Sequence, residues 1–230
     1  MSSPSTALAD SPAFPAAAVE AARYALLRRL APSMRHHLVV HLQPIGMIHE
    51  IMERRLKAPE PRVAEVLESA AKIRGFARAA LDSTLDMVTW LAPDEAAVVS
   101  LEEGVRECMG LVATAFTFRG FSLRNEVAGM AQHVRRPALR SCLMAALFVL
   151  ADDGEPPADI VITAQAVGKS VVLGLERIAT TGERPVSAVS PYRLLALADL
   201  QAIAGDEGVA VQPGIEQLQL RFTVVAAPPP

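Results

Sequence analysis

The sequence predicts an α+β fold: an N-terminal antiparallel helical hairpin, then an α/β layer with helices on one face of a mixed sheet. Three observations carry this. Apolar residues recur at steps of three and four through residues 15–57 and again through 62–91. Ala58-Pro59-Glu60-Pro61 stands between these runs and cannot easily continue a helix. Beyond Ala92-Pro93-Asp94 the pattern changes to short helical and alternating stretches in turn. Composition agrees, since 51% of the 230 residues are hydrophobic and only 4% aromatic, a mix suited to aliphatic helix packing.

The first run places Leu27, Leu30, Met34, Leu38, His41, Ile45, Ile48 and Met52 on one stripe, interrupted by Pro32 and Pro44, where bends are expected. The second places Val63, Val66, Leu67, Ala70, Ile73, Ala77, Leu81, Leu85 and Val88 on one face. Two such helices joined by a short turn make a hairpin. A lone hairpin leaves much of its apolar surface wet, so a homodimer forming a four-helix bundle is expected. The alternative is that the hairpin packs on the C-terminal domain of its own chain.

A helix is expected over 101–118, with Ser100, Glu102 and Glu103 marking its start and Gly120 its end. Residues 121–127 alternate as a strand. A second helix is expected over 137–151, with proline at its start. Strands are expected over 160–166 and 170–175 around Val167-Gly168-Lys169, then a polar loop over 180–190 and a helix over 191–204. Strands over 209–212 and 218–225 close the layer. The domains read as a flexible leader over 1–16, a helical hairpin over 17–92, an α/β domain over 97–226 and a tail over 227–230.

A formal charge of −3 gives no support for general nucleic-acid binding. No run of about 18 apolar residues occurs, so no membrane span is expected. The leader lacks the basic start and apolar core of a signal peptide. Cys108 and Cys142 lie in apolar helical contexts and read as small buried residues of a reduced, cytoplasmic protein.

Three of the five histidines, His36, His37 and His41, fall within six residues of the first helix. At about 100° per residue, position 36 lies about 160° from Leu38. His36 is therefore expected to face solvent, His37 to sit at the flank, and His41 to face the interior. His37 and His41 are also spaced to share a metal, but no acid lies between them and only His49 is near as a third ligand. Metal binding is the weaker reading. His133 is placed in a loop without a special role. Arg54, Arg55, Lys57 and Arg62 are read as a solvated basic tip of the hairpin.

Arg35-His36-His37-Leu38, with Leu42 and Pro44 beyond, resembles the Arg-His-Asp-Leu start of one histidine-box variant of sensor histidine kinases. Residues 105–123 resemble the first helix and strand of the kinase ATP-binding domain, of the Bergerat type. Residues 139–153 resemble its asparagine-box helix, and 195–225 its last helix and strand pair. The resemblance implies a dimerisation and phosphotransfer hairpin followed by a nucleotide-binding fold.

Its departures imply that the nucleotide site is lost. The asparagine-box positions hold Ala145 and Val149, which cannot ligate Mg²⁺. Residues 172–178 contain no Asp-x-Gly-x-Gly, and residues 189–195, where the lid should be, contain no glycine. After the histidine, His37 replaces the usual acid and Val40 stands where Thr or Asn is common. Accepting a phosphoryl group from a response regulator asks less, because the partner supplies the metal and acids. The sequence-level expectation is therefore a histidine phosphotransfer protein that uses His36 as phospho-acceptor, partners response-regulator receiver domains and takes no cofactor. The alternative is a non-enzymatic pseudokinase adaptor; an active, divergent kinase is the third reading.

Overall fold

The computed structural model describes residues 14–182 and 192–227. Most of the expected leader and tail, and much of the 180–190 loop, lie outside the described residues. By contact the chain forms two units, one taking the chain up to Arg29 together with Glu95 onward, the other Leu30–Asp94.

The second unit is the hairpin. Helix α1 (Ala16–Leu56) contains Pro32 and Pro44 without interruption, and α2 (Val63–Leu91) follows a short turn. The expected α1 stripe is the inward one: Leu38, His41, Ile45, Ile48 and Met52 are all half-buried. His41 is thus less enclosed than its place on the stripe predicts. Much of the expected α2 face is wet, as expected of a lone hairpin. Val66, Ser69, Ile73, Phe76 and Ala80 are covered, whereas Val63, Leu67, Leu81, Leu85 and Val88 are exposed. The α2 apolar arc is wider than one helix can bury. At the tip, Arg55 Nη1 donates to Ser69 Oγ and Glu65 O, each at 3.2 Å, so this arginine fastens the turn rather than standing free.

The first unit begins with the first turns of α1 and resumes at β1 (Val98–Ser100) and α3 (Leu101–Phe118). Ser100 caps α3 as expected, its hydroxyl accepting from Glu103 N at 3.3 Å. Then come β2 (Phe121–Asn125), β3 (His133–Arg135), α4 (Arg136–Asp152), β4 (Ala158–Val167) and β5 (Ser170–Ala179). Helix α5 (Leu197–Asp206), β6 (Ala210–Pro213) and β7 (Gln217–Thr223) complete it. The five-stranded sheet has the order β2-β4-β5-β7-β6, with β2 parallel to β4 and the other pairs antiparallel. The β4–β5 turn needs the left-handed backbone that Gly168 supplies at φ 60°.

One face of the sheet is the core side. Ile160 and Ile162, Val171, Leu173 and Leu175, and Leu218, Leu220 and Phe222 alternate inward, while Thr163, Gln165, Gln217 and Gln219 face out. Against the inner face lie α3, which buries Leu101, Val105, Cys108, Val112 and Phe116, and α4, buried on nearly all sides. The burial of Cys142 raises its thiol pKa, which removes it as a nucleophile.

Two expectations need correction. His133 is in a strand: β3 pairs antiparallel with β1, setting buried Val99 opposite buried Val134. Three-residue strands carry too little alternation to be read from sequence. The last helix starts at Leu197, not near residue 191. Leu195 N–H and Ala196 N–H are committed to the carboxylates of Asp152 and Asp199, which holds the preceding backbone extended.

Two glycines of α3 test this packing. A Cβ on Gly104 would collide with the Leu139 side chain and come within 3.0 Å of Val99 Cγ1. Gly104→Ala should therefore lower unfolding stability by about 1–3 kcal/mol despite the helix-propensity gain. Gly110 has open space, and Gly110→Ala should raise stability by about 0.5–1 kcal/mol. Chemical denaturation of the two variants measures both signs.

Candidate functional site

His36 stands exposed on α1, with Arg35 before it and exposed Val39 and Val40 one turn on, at 44% and 47% of full exposure. His37 is half-buried, and its ring lies edge-on to that of His36 at 6.3 Å between centroids, 82° between planes. The order expected from helix geometry is therefore observed: His36 out, His37 at the flank, His41 on the stripe. Among the described residues no three His, Cys, Asp or Glu side chains could share a metal ion, so the structure does not join His37, His41 and His49 into a ligand set.

The second region belongs to the other unit. Ala145 and Val149, which the resemblance sets at asparagine-box positions, are buried, at 0% and 7% exposure. A cleft of about 330 Å³ opens where the C-terminal end of α4 meets residues 194–197 and the β6–β7 turn. Its polar lining includes Asp152, Asp153, Arg177 and Glu216. Arg177 donates from Nη1 to Leu150 O at 3.2 Å and from Nη2 to Glu216 Oε1 at 3.0 Å. Its backbone N–H also reaches Glu216 O at 2.8 Å. Glu216 has a left-handed φ of 57°, a conformation that costs a non-glycine residue energy and is held here by these bonds. A Cβ on Gly154 would overlap the Arg177 guanidinium, so a side chain there would displace it.

Asp152 is the most enclosed charge in the region, with 2% side-chain exposure. Its Oδ1 accepts from Arg29 Nη2 and Arg119 Nη2, both at 2.6 Å, and its Oδ2 accepts from Leu195 N at 3.0 Å. Burial lowers the Arg119 pKa, against the attraction of Asp152. The Nη1 atoms of Arg29 and Arg119 find no hydrogen-bond partner; instead the guanidiniums lie over aromatic rings. Arg29 sits 4.9 Å from the Phe148 centroid, and Arg119 5.6 Å from Phe121 and 5.8 Å from Phe116.

Sequence reasoning missed Arg177, Asp152 and Glu216. One signal was available: Arg177 continues the inward series Val171, Leu173, Leu175, so its charge was due to point into the fold. The pairing of Asp152 with Arg29 and Arg119, 123 and 33 residues away, had no sequence signature.

No family model matches the chain, and no curated protein matches it in sequence. Similar solved structures do exist. A histidine kinase from Burkholderia phymatum matches at 15% identity and TM-score 0.42, over 93% of this chain and all of that one. A structure described as a bacterial phosphotransferase matches at 12% identity and TM-score 0.37, over 93% of this chain and 100% of that one. The histidine kinase ThkA, solved in complex with the response regulator TrrA, matches at 15% identity and TM-score 0.41, over 86% of this chain and 60% of that one. Similarity at this level defines no family for the chain.

Diethylpyrocarbonate, which acylates accessible imidazoles, should modify His36 several-fold faster than His41. Peptide mass spectrometry over a time course reads the two rates; equal rates would contradict the geometry.

Proposed function

We propose that this chain is a homodimeric histidine phosphotransfer protein that exchanges phosphoryl groups with response-regulator receiver domains through His36, without using ATP. The observation that carries the reading is the exposed imidazole on the first helix of a hairpin, at the position where the histidine-box resemblance puts the phospho-acceptor. An imidazole nitrogen is nucleophilic without further activation once neutral. The adjoining Val39 and Val40 offer apolar contact to a docked partner. The cleft of the other unit offers no oxygen ligand from Ala145 or Val149, and its Asp153 and Glu216 carboxylates repel a polyphosphate. The phosphoryl donor is therefore taken to be the partner's phospho-aspartate: the P–O bond to aspartate breaks as the P–N bond to His36 forms.

The homodimer follows from the hairpin surface. Val63, Leu67, Leu81, Leu85 and Val88 of α2 are each more than half exposed, together with Met47 of α1. Large apolar side chains repeated along one helix face suit an association surface. The second reading, a pseudokinase adaptor that binds a regulator or kinase without phosphoryl chemistry, is favoured by one residue, His37 in place of an acid.

Radiolabelled phospho-receiver mixed with the chain should pass its label to wild type and to His37→Ala but not to His36→Ala. Binding without transfer would select the adaptor, and labelling of His36→Ala would remove the site. Static light scattering should give a particle of about twice the 24.5 kDa chain mass. Leu81→Glu with Leu85→Glu should shift it to the monomer; a wild-type monomer would refute the dimer.

A further inference from the structure

We infer that Asp152 mechanically couples residues 192–197, which border the cleft, to the first half of α1, so that neither segment loosens without the other. The first half of α1 is built into the unit that contains the sheet. It buries Val19, Ala22, Ala25 and Leu26, and two of its arginines reach buried carboxylates. Arg23 Nη2 donates to Glu207 Oε1 at 2.6 Å and to Asp206 Oδ2 at 2.8 Å; Arg29 donates to Asp152. Each buried carboxylate is shared with a second arginine, Arg135 at 3.5 Å from Glu207 and Arg119 at 2.6 Å from Asp152.

Asp152 differs from Glu207 in also accepting Leu195 N–H, so one carboxylate holds α1, α3 and the cleft border together. A second link runs parallel to it: the Arg28 guanidinium lies 4.8 Å from the Tyr192 ring centroid. Lifting residues 192–197 away from the cleft breaks both links to α1. Conversely, withdrawing Arg29 leaves Asp152 buried with half of its guanidinium partners, and the carboxylate must move or hydrate. A buried carboxylate with fewer donors cannot hold Leu195 in the same place. Coupling of this kind is reciprocal: whatever shifts residues 16–29 changes access to the cleft, and an occupant that displaces the border loosens α1. The coupling does not depend on phosphoryl chemistry at His36.

Hydrogen exchange of the full chain, read by mass spectrometry, tests both ends. Asp152→Asn keeps the shape and removes the charge, and Arg29→Gln perturbs the α1 side alone. In each variant, exchange should rise about tenfold or more over both 16–29 and 192–200, while 158–179 keeps wild-type protection. A rise confined to one of the two segments, or no rise in either, overturns the coupling. Where 158–179 also loses protection, the fold itself has failed and exposed Arg28→Ala decides. Faster exchange over both 16–29 and 192–200 in that variant supports the coupling, and a rise in one segment alone or in neither overturns it.

Discussion

Helix α4 is buried along nearly its whole length, and the unit around it is arranged to satisfy the end of that helix. From Pro137 to Ala151 only Ser141 is not fully enclosed. A helix apolar on every side gains from burial on every side, but its last carbonyls then lose access to water. Unpaired, each would cost about 1–3 kcal/mol. Here Val149 O takes Asp153 N–H, Leu150 O takes Arg177, and Ala151 O takes Arg119. Two guanidiniums at a helix C-terminus also suit the negative end of its dipole. Asp152 has the wrong sign for that position, and Arg29 and Arg119 offset it. The positions of α3, of β5 and of the start of α1 are thus tied to one buried helix end.

Several polar groups of the unit that holds the cleft bond to one another. Arg177 bonds to a helix carbonyl and to Glu216; Asp152 is shared among three donors. Asp199, whose pKa burial alone would raise, is held below the ordinary carboxylate range by Arg193 and the Ala196 N–H. Ala145 and Val149 add buried hydrocarbon to the same unit.

Period and punctuation made much of this legible in the sequence. Ser100 and Gly120 bracketed α3, the step-of-three-and-four stripe placed Leu38, Ile45 and Met52 inward, and alternation around Gly168 revealed β4 and β5. These signals are local, and the forces behind them act within a few residues. The β1–β3 pair, the late start of α5 and the Asp152 cluster rest on partners far apart in the chain, which no local period reports. The α2 stripe was read as apolar and, in a lone hairpin, as largely wet, and Val63, Leu67, Leu81, Leu85 and Val88 are exposed. The sequence shows how much apolar surface a helix has; whether one chain can cover it depends on the partner helix. The exposure of His36 was legible because it follows helix phase, and strand phase offered the inward turn of Arg177, whereas its partners Leu150 O and Glu216 required the fold.

The pattern of loss bears on the choice between relay and adaptor. Transfer to histidine has a donor side, with metal, phosphate cradle and proton acceptor, and an acceptor side that needs only a reachable imidazole. On the proposed reading, the departures at His37, Ala145 and Val149 fall on the donor side. The acceptor side keeps an exposed ring on a rigid helix with apolar contacts beside it. In the adaptor reading, binding uses apolar side chains such as Val39 and Val40 and leaves the nitrogen idle. The proposed relay uses that nitrogen, and its exposure is the observation that supports placing phosphotransfer ahead of simple binding.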